Sequence, residues 1–140
     1  MTTTADETQV HDIREFFLAY LAAFSTLARG DRDDVEQLLA FYGVPLLVSS
    51  DGRCATLVDE AQVLGNVQHG IDAMRRLDYD RSILVSAETT IVNRSMAFHH
   101  VHVSRLLRDG SEIERIESTF LITETPAGRR FAAIVLHSPR

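Results

Sequence analysis

The sequence predicts a single α+β domain in which three N-terminal helices pack on a mainly antiparallel sheet. Apolar residues at helical spacing dominate the first half of the chain, and runs rich in β-branched residues dominate the second. The clearest local signal is Asp109-Gly110 between two alternating runs, which predicts a hairpin over Met96 to Thr123. A chain of 140 residues can bury one core. We therefore assign residues 1–140 to one domain, with residues 1–6 as a flexible start.

Helix-capping and helix-breaking residues delimit the three predicted helices. The first is followed by Gly30, the second begins at Asp31 or Asp33, and the third is capped by Asp59. The predicted spans are Glu7–Arg29, a short helix to about Phe41 that Gly43 and Pro45 end, and Asp59 to about Leu77.

The strands are predicted from β-branched residues and turn signals. The spans are Leu46–Val48, Cys54–Val58 after a turn at Asp51-Gly52, Tyr79–Asn93, the two strands of the hairpin, and Arg130–His137. The stretch Phe131–Leu136 is apolar on both faces, so we expect the last strand to lie in the middle of the sheet or to be covered on both sides.

The hairpin is the one place where the sequence predicts a register. With Asp109 and Gly110 as the central residues of a type I′ turn, His102 lies opposite Glu117 and His99 opposite Phe120. Alternation then gives two faces. One face is polar and includes His100, His102, Glu117 and Thr119, whereas the face with His99 and Phe120 is more apolar.

Composition excludes several classes of function. The net charge of −6 argues against nucleic-acid binding, and the absence of lysine excludes Schiff-base catalysis. No apolar run approaches the length of a membrane span, so no membrane partner is expected. The polar N-terminus and the single Cys54 favour a cytoplasmic protein.

Four segments carry a resemblance to a known family: FFLAYLAAF (Phe16–Phe24), VPLLVSSDG (Val44–Gly52), the helix at Asp59–Leu77, and the tail Arg130–His137. In their order and spacing they resemble the nuclear transport factor 2-like superfamily, also called cystatin-like or SnoaL-like, and most of all its small members of unassigned function. The resemblance implies a strongly curved sheet that forms a cone with an internal pocket against the helices. It also implies a homodimer through the sheet. Members include isomerases, cyclases, dehydratases, hydrolases and proteins that only bind, so the fold implies no single function.

The resemblance also suggests a role for Tyr20. The segment around Tyr20 is similar to the first-helix segment that supplies the oxyanion-hole tyrosine of ketosteroid isomerases. The position that matches the isomerase base is occupied by Ser49, and Asp51 lies two residues later in a predicted turn. Steroid isomerisation is therefore not expected.

The polar face of the hairpin offers a candidate catalytic group. His102 would act as a general base, Glu117 would orient it, and Tyr20 would donate to a developing oxyanion. The competing interpretation is that this face meets solvent or a second subunit and carries ordinary cross-strand pairs. For Tyr20, a pocket donor and a core residue with its hydroxyl at an edge are equally compatible with the sequence.

The predicted ligand pocket combines residues from the helices and from both hairpin faces. His99 is expected to be a buried histidine with one hydrogen-bond partner, and it lines the pocket if the apolar face does. The predicted pocket residues are Phe16, Phe24, Met74, His99, His100, Thr119 and Phe120.

A metal site is not predicted. His100 and His102 share a face and Glu117 could be a third ligand, but the ligand count of a recognisable metal motif is not reached. We expect no cofactor. The predicted function is that of a dimeric module for binding a small hydrophobic ligand or for assembly. The alternative is a cofactor-independent acid/base enzyme that acts on a small, largely apolar substrate.

Overall fold

A computed structural model describes residues 4–139 and shows an α+β fold built on one six-stranded sheet. The helices are α1 (Thr4–Ala28), a 3₁₀ helix (Val35–Ala40) and α2 (Glu60–Arg75). The strands are β1 (Tyr42–Ser50), β2 (Arg53–Leu57), β3 (Tyr79–Ile91), β4 (Met96–Leu107), β5 (Glu112–Thr125) and β6 (Gly128–Leu136). The predicted fold class is confirmed, with two α-helices and a 3₁₀ helix in place of three helices.

The strand order is β2-β1-β6-β5-β4-β3. All neighbouring strands are antiparallel except β1 and β6, which run parallel. Strand β6 therefore lies in the middle of the sheet, between β1 and β5, as the apolar composition of Phe131–Leu136 predicted.

Helix α1 covers one face of the sheet, which we call the inner face. Its buried side chains Ile13, Phe17 and Leu21 recur at helical spacing and form part of the core. Gly30, at a φ of 86°, ends the helix, and the amide of Asp31 donates back to the carbonyl of Thr26.

Residues 4–6, which the sequence assigned to a flexible start, are the first residues of α1. Residues 1–3 lie outside the described part of the chain. The helix begins early because Thr4, Ala5 and Asp6 carry no helix breaker, and acidic Asp6 and Glu7 in the first turn complement the helix dipole.

The region after α1 differs most from its prediction. Gly43 and Pro45 do not end a helix but lie inside β1, which begins at Tyr42. A Cβ added to Gly43 would lie 2.8 Å from the carbonyl oxygen of Phe131, so glycine permits close approach to β6. Pairing of β1 with β6 is irregular between Tyr42 and Leu47, and this irregularity accommodates Pro45.

Helix α2 begins as predicted. The Asp59 side chain caps it by accepting a hydrogen bond from the amide of Gln62 at 2.9 Å. Its apolar stripe is buried and closes one end of the core, with Val63, Val67, Ile71 and Met74 inward.

The β4–β5 hairpin has the predicted register but a different turn. His102 pairs with Glu117 and His99 with Phe120. A type I′ turn requires a positive φ at both central residues. Gly110 has one, but among residues 4–139 only glycines do, so Asp109 does not and the turn is not type I′. The amide of Leu107 donates to the carbonyl of Ser111, which is one residue away from the predicted pairing. A register shift between Arg105 and Leu106 restores the predicted pairing for the rest of the hairpin.

No helix in the described part of the chain is both long and apolar enough to cross a bilayer. The cytoplasmic location stays a prediction.

Candidate functional site

The two faces of the β4–β5 hairpin meet different surroundings. The apolar face is the inner one: Ala97, His99, Val101 and Val103 are buried beneath α1. The polar face points away from the helices, and we call it the outer face. Phe98 on that face is 45% exposed. The apolar face of the hairpin therefore lines the interior of the cone.

On the outer face, three imidazoles converge on one carboxylate. Nε2 of His100 lies 2.6 Å from Oε2 of Glu117, and Nε2 of His102 lies 3.6 Å from Oε1. Nδ1 of His137 lies 3.5 Å from Oε2. The Glu117 side chain is only 12% exposed, whereas the three imidazoles are about one third exposed. We call these four residues the histidine–glutamate cluster.

Hydroxyl groups hold two of the imidazoles in place. Oγ of Ser86 lies 3.0 Å from Nδ1 of His102, and Oγ1 of Thr119 lies 2.7 Å from Nε2 of His137. In each ring the nitrogen that faces away from Glu117 is thereby engaged, so the other nitrogen is directed at the carboxylate. The rings of His100 and His137 stack, with centroids 5.0 Å apart.

His137 belongs to the cluster, although the sequence indicated only that it ends the last strand. The amide of His137 donates to the carbonyl of Glu117, so the chain continues the β5–β6 pairing for one residue. Alternation then directs the His137 side chain to the outer face, because Leu136 before it lies on the inner side opposite Ser118. The contact between His137 and Glu117 depends on the register between β5 and β6, which the residues of the connecting turn do not determine.

On the inner face, a small cavity of about 110 Å³ lies between α1 and the sheet. Its walls are largely apolar and come from α1, β3, β4, β5 and β6. The lining residues are Phe17, Tyr20, Leu21, Phe24, Ser82, Val101, Val103, Arg105, Ile116, Ser118, Phe120, Ile134 and Leu136.

Tyr20 and Tyr42 form a buried hydroxyl pair next to this cavity, with the oxygens 2.6 Å apart. Burial raises the pKa of Tyr20, and the hydrogen bond with Tyr42 and the positive charge of Arg105 offset part of that rise. The pKa of Tyr42 is raised well above its usual value, also chiefly by burial. Both phenols are therefore protonated near neutral pH, and the pair has one proton to donate beyond the one it shares.

Arg105 places a positive charge in the wall of the cavity. Its guanidinium lies over the Phe24 ring, with Cζ 5.3 Å from the ring centroid, and Nη1 donates to the sulfur of Met74 at 3.7 Å. Both of these partners are uncharged. Arg105 was not among the predicted site residues, although its position two residues after Val103 on the apolar face indicates that it points inward.

His99 is buried, as predicted, and has one partner among the described residues. Its Nδ1 lies 2.9 Å from Oγ1 of Thr89, its ring meets that of Phe17 edge-on, and its Nε2 has no partner in the described part of the chain. Burial, with a smaller effect from the positive charge of Arg14, lowers the pKa of His99 from 6.5 to about 4. His99 is thus a neutral core residue at pH 7.

The predicted catalytic group is not assembled. His102 and Glu117 are neighbours, as the register required, but they lie on the outer face, whereas Tyr20 belongs to α1 and packs against the inner face. The sheet separates the base and its orienter from the oxyanion donor. Helical and strand periodicity do not predict which hairpin face a side chain of α1 meets, so the sequence could not place Tyr20 relative to His102.

The predicted pocket residues are divided between the two faces of the sheet. Phe24 and Phe120 line the inner cavity together with Tyr20. Phe16, Met74 and His99 pack in or against the core without lining it, and His100 and Thr119 lie on the outer face. A single pocket cannot contain all seven residues because alternation sends His99 and His100 to opposite sides of the sheet.

The inner cavity and the outer cluster approach each other at one edge. An open groove of about 770 Å³ is lined by His102, Glu117 and His137, and shares Arg105, Ile116 and Leu136 with the inner cavity. It forms where β6 ends at Leu136 while β5 continues toward the turn. The inner cavity and the groove therefore border each other beside the cluster.

Comparisons with known proteins give a consistent fold. The model of a family described as NTF2-like protein (DUF6841) matches residues 6–139. A protein with a cystatin-like fold from Nostoc punctiforme superposes with a TM-score of 0.70 at 12% identity, over 96% of this chain and 91% of that one. An NTF2-like protein from Novosphingobium aromaticivorans gives a TM-score of 0.64 at 18% identity, over 97% and 90% of the two chains.

A protein from Catenulispora acidiphila, solved in complex with S-DNPA, gives a TM-score of 0.68 at 9% identity, over 93% of this chain and 94% of that one. At these identities the superpositions establish the fold alone. No curated protein matches the chain.

Proposed function

We propose that this chain, which belongs to the NTF2-like protein family, binds a small apolar molecule that carries a carboxylate or a similar anionic group. The observation that carries the proposal is Arg105, a cation in the wall of a largely apolar cavity. The family resemblance drawn from the sequence is confirmed by the family match, and the ligand is our proposal.

The case for an anionic group rests on the surroundings of Arg105. A guanidinium in a partly apolar wall gains most from a charge-assisted, bidentate partner, and a carboxylate has the matching geometry. The aromatic ring and the sulfur that Arg105 contacts provide much weaker compensation. The Tyr20–Tyr42 pair supplies a second donor near the same cavity.

The size of the cavity limits the ligand. A volume of about 110 Å³ is well below the roughly 300–1,000 Å³ of pockets for drug-sized molecules. It is of the same order as a cavity of about 150 Å³ known to accept benzene. We therefore expect a single-ring or short-chain acid whose carboxylate extends toward Arg105 and the groove.

The test compares acids with neutral molecules of the same shape. Benzoate and hexanoate, together with benzyl alcohol and hexanol, are titrated into the protein and followed by NMR shifts of the Phe24 and Phe120 rings. We expect the acids to bind about tenfold or more tightly, since a hydrogen bond to a charged group contributes about 1.5–3 kcal/mol. Arg105→Gln should remove that preference.

Arg108→Gln is the matched control, because Arg108 lies on the same hairpin but is exposed and pairs with Asp78. Ser118→Leu, which fills the cavity, should abolish binding of acids and alcohols alike. Equal affinities for acids and alcohols in the wild type, or a preference that survives in Arg105→Gln, would overturn the proposal.

The acid/base enzyme considered from the sequence is less well supported than binding. His102 and Glu117 lie outside the cavity, so a substrate held against Tyr20 cannot contact them. A structurally similar protein has been solved in complex with S-DNPA, which supports the proposal of ligand binding on this fold.

We also propose that the protein is a homodimer through the outer face of the sheet. A row of paired apolar residues crosses that face from β1 to β4: Leu47, Ala133, Leu121 and Phe98. Phe98 and Leu47 are 45% and 38% exposed. Contiguous apolar surface of this kind marks an interface, and a second copy presents the same row about a two-fold axis.

Light scattering coupled to size exclusion tests the dimer. The wild type should have twice the mass of the chain, and Phe98→Arg together with Leu121→Arg should yield monomers. Val92→Arg, at an exposed apolar position beyond the end of β3, is the control and should leave the mass unchanged. A monomeric wild type would contradict this part of the proposal.

A further inference from the structure

We propose that His100, His102, His137 and Glu117 form a binding site for a divalent transition metal ion, represented by zinc. The ligand atoms are Nε2 of His100, Nε2 of His102, Nδ1 of His137 and the carboxylate of Glu117. None of these four residues lines the inner cavity, although three of them line the neighbouring groove. The metal site therefore does not depend on the proposed anionic ligand.

The spacing of the ligand atoms suits a metal ion. The nearest ligand atoms of His100, His102 and Glu117 all lie within 4.8 Å of one another. Ligands at about 2.0–2.1 Å from a tetrahedral zinc ion are roughly 3.4 Å apart. Nδ1 of His137, at 3.5 Å from the Glu117 carboxylate, already has that separation. Small side-chain rotations would therefore bring His100, His102 and Glu117 onto one ion, and His137, which is not part of that group of three, would have to move further to join them.

The surrounding hydrogen bonds match those of metal ligands. A metal-bound imidazole usually donates its other ring N–H to an oxygen, which fixes the tautomer and the ring orientation. Ser86 and Thr119 provide such oxygens to His102 and His137, on the nitrogen that faces away from the cluster. When His102 and His137 donate to these oxygens, each inward nitrogen can present a lone pair to a metal ion.

The ligand set favours particular ions. Three imidazoles and one carboxylate, with no thiolate, suit zinc, cobalt, nickel, copper or iron in the divalent state better than calcium or magnesium. The ion would take the place of the 2.6 Å contact between Nε2 of His100 and Oε2 of Glu117.

A simple alternative is that the cluster is only a hydrogen-bonded group on a solvent face. Metal binding by the intact, untagged protein separates the two. The chelator-treated protein is titrated with Co²⁺, whose visible absorption reports four- or five-coordinate ligation, and with Zn²⁺ by calorimetry. We expect one equivalent of each ion to bind and Zn²⁺ to displace Co²⁺.

Variants locate the site. His102→Ala and Glu117→Gln should each weaken Zn²⁺ binding at least tenfold, and so should His100→Ala and His137→Ala. Ser86→Ala and Thr119→Val should weaken binding by about 10–100-fold, as is typical for partners of metal ligands. His11→Ala and His69→Ala, at exposed positions on α1 and α2, are the controls and should bind as the wild type does.

The thermal unfolding midpoint of each variant is measured with chelator, which separates lost folding from lost binding. Absence of stoichiometric Co²⁺ or Zn²⁺ binding would overturn the site, and so would binding that His102→Ala or Glu117→Gln leaves unchanged. Binding indifferent to His137→Ala would overturn the assignment of four ligands.

Discussion

His99 and His100 are adjacent in sequence, yet they lie in opposite chemical environments. His99 is 1% exposed on the inner face and packs against Phe17, with Thr89 as its partner. The His100 side chain is 36% exposed on the outer face and bonds to the Glu117 carboxylate. Of these two adjacent residues, one therefore belongs to the core and the other to a polar surface.

The comparison shows what the pleat of a strand does to identical side chains. On the inner face, burial excludes the charged imidazolium, so His99 serves as a polar member of the core. On the outer face, a carboxylate and two further imidazoles surround His100, and the site retains exposure to solvent. The loss of free energy of unfolding caused by a substitution, and its dependence on pH, should therefore differ between matched positions on the two faces.

The largest difference is expected for phenylalanine. Phe120 is 6% exposed on the inner face and contacts the rings of Phe17, Tyr20 and Phe131, whereas Phe98 on the outer face is 45% exposed. Phe120→Ala should reduce the free energy of unfolding by about 3–5 kcal/mol. Phe98→Ala should reduce it by less than about 1 kcal/mol in the monomer. Urea denaturation measures both.

The Phe98 measurement is made at two protein concentrations, because a contribution from dimerisation depends on concentration and a contribution from the monomer fold does not. Equal losses for the two variants at low concentration would contradict the assignment of the inner and outer faces.

The second difference concerns pH. The folded pKa of His99 is lowered from 6.5 to about 4, so between these values the unfolded chain binds a proton that the folded chain does not. Stability from this residue is complete above pH 6.5 and is lost as the pH falls toward 4. The loss is about 3 kcal/mol, at about 1.4 kcal/mol per pKa unit. Stability measured by urea denaturation across this range should fall accordingly.

His99→Gln removes this titration and should flatten the fall, while His102→Gln, on the outer face of the same strand, serves as the control and should leave it in place. A pH dependence that is the same in wild type and His99→Gln would show that His99 is not the group responsible.

The sequence predicted the hairpin register correctly, but for an incomplete reason. The predicted type I′ turn would pair Arg108 with Ser111, whereas the structure bonds Leu107 to Ser111 through a turn with Gly110 in the left-handed region. The turn displaces the pairing by one residue, and the unpaired Ile113 displaces it back by one residue. From Arg105 onward the pairing is therefore the predicted one. Local turn chemistry could predict that a hairpin forms, and the amphipathic alternation of the strands determined which face is buried.

Site residues contributed by distant strands could not be predicted in the same way. His137 joins the cluster only because β6 lies between β1 and β5 in a defined register, and that order depends on the whole sheet. The placement of Tyr20 on the side opposite His102 likewise depends on which face α1 covers. Helical periodicity predicts the buried side of a helix but not the strand residues it meets.

The smallest difference is expected for single hydroxyl groups. Tyr20→Phe removes the inner-face bond to Tyr42 and leaves a buried phenol without that partner, which should cost about 1–3 kcal/mol. Thr119→Val removes the outer-face bond to His137, but that imidazole is 32% exposed and water can replace the hydroxyl, so a cost of about 0.5 kcal/mol is expected in metal-free protein. Urea denaturation at pH 7 measures both. A larger loss for Thr119→Val than for Tyr20→Phe would mean that the outer cluster, rather than the buried tyrosine pair, is the more rigid polar element of the fold.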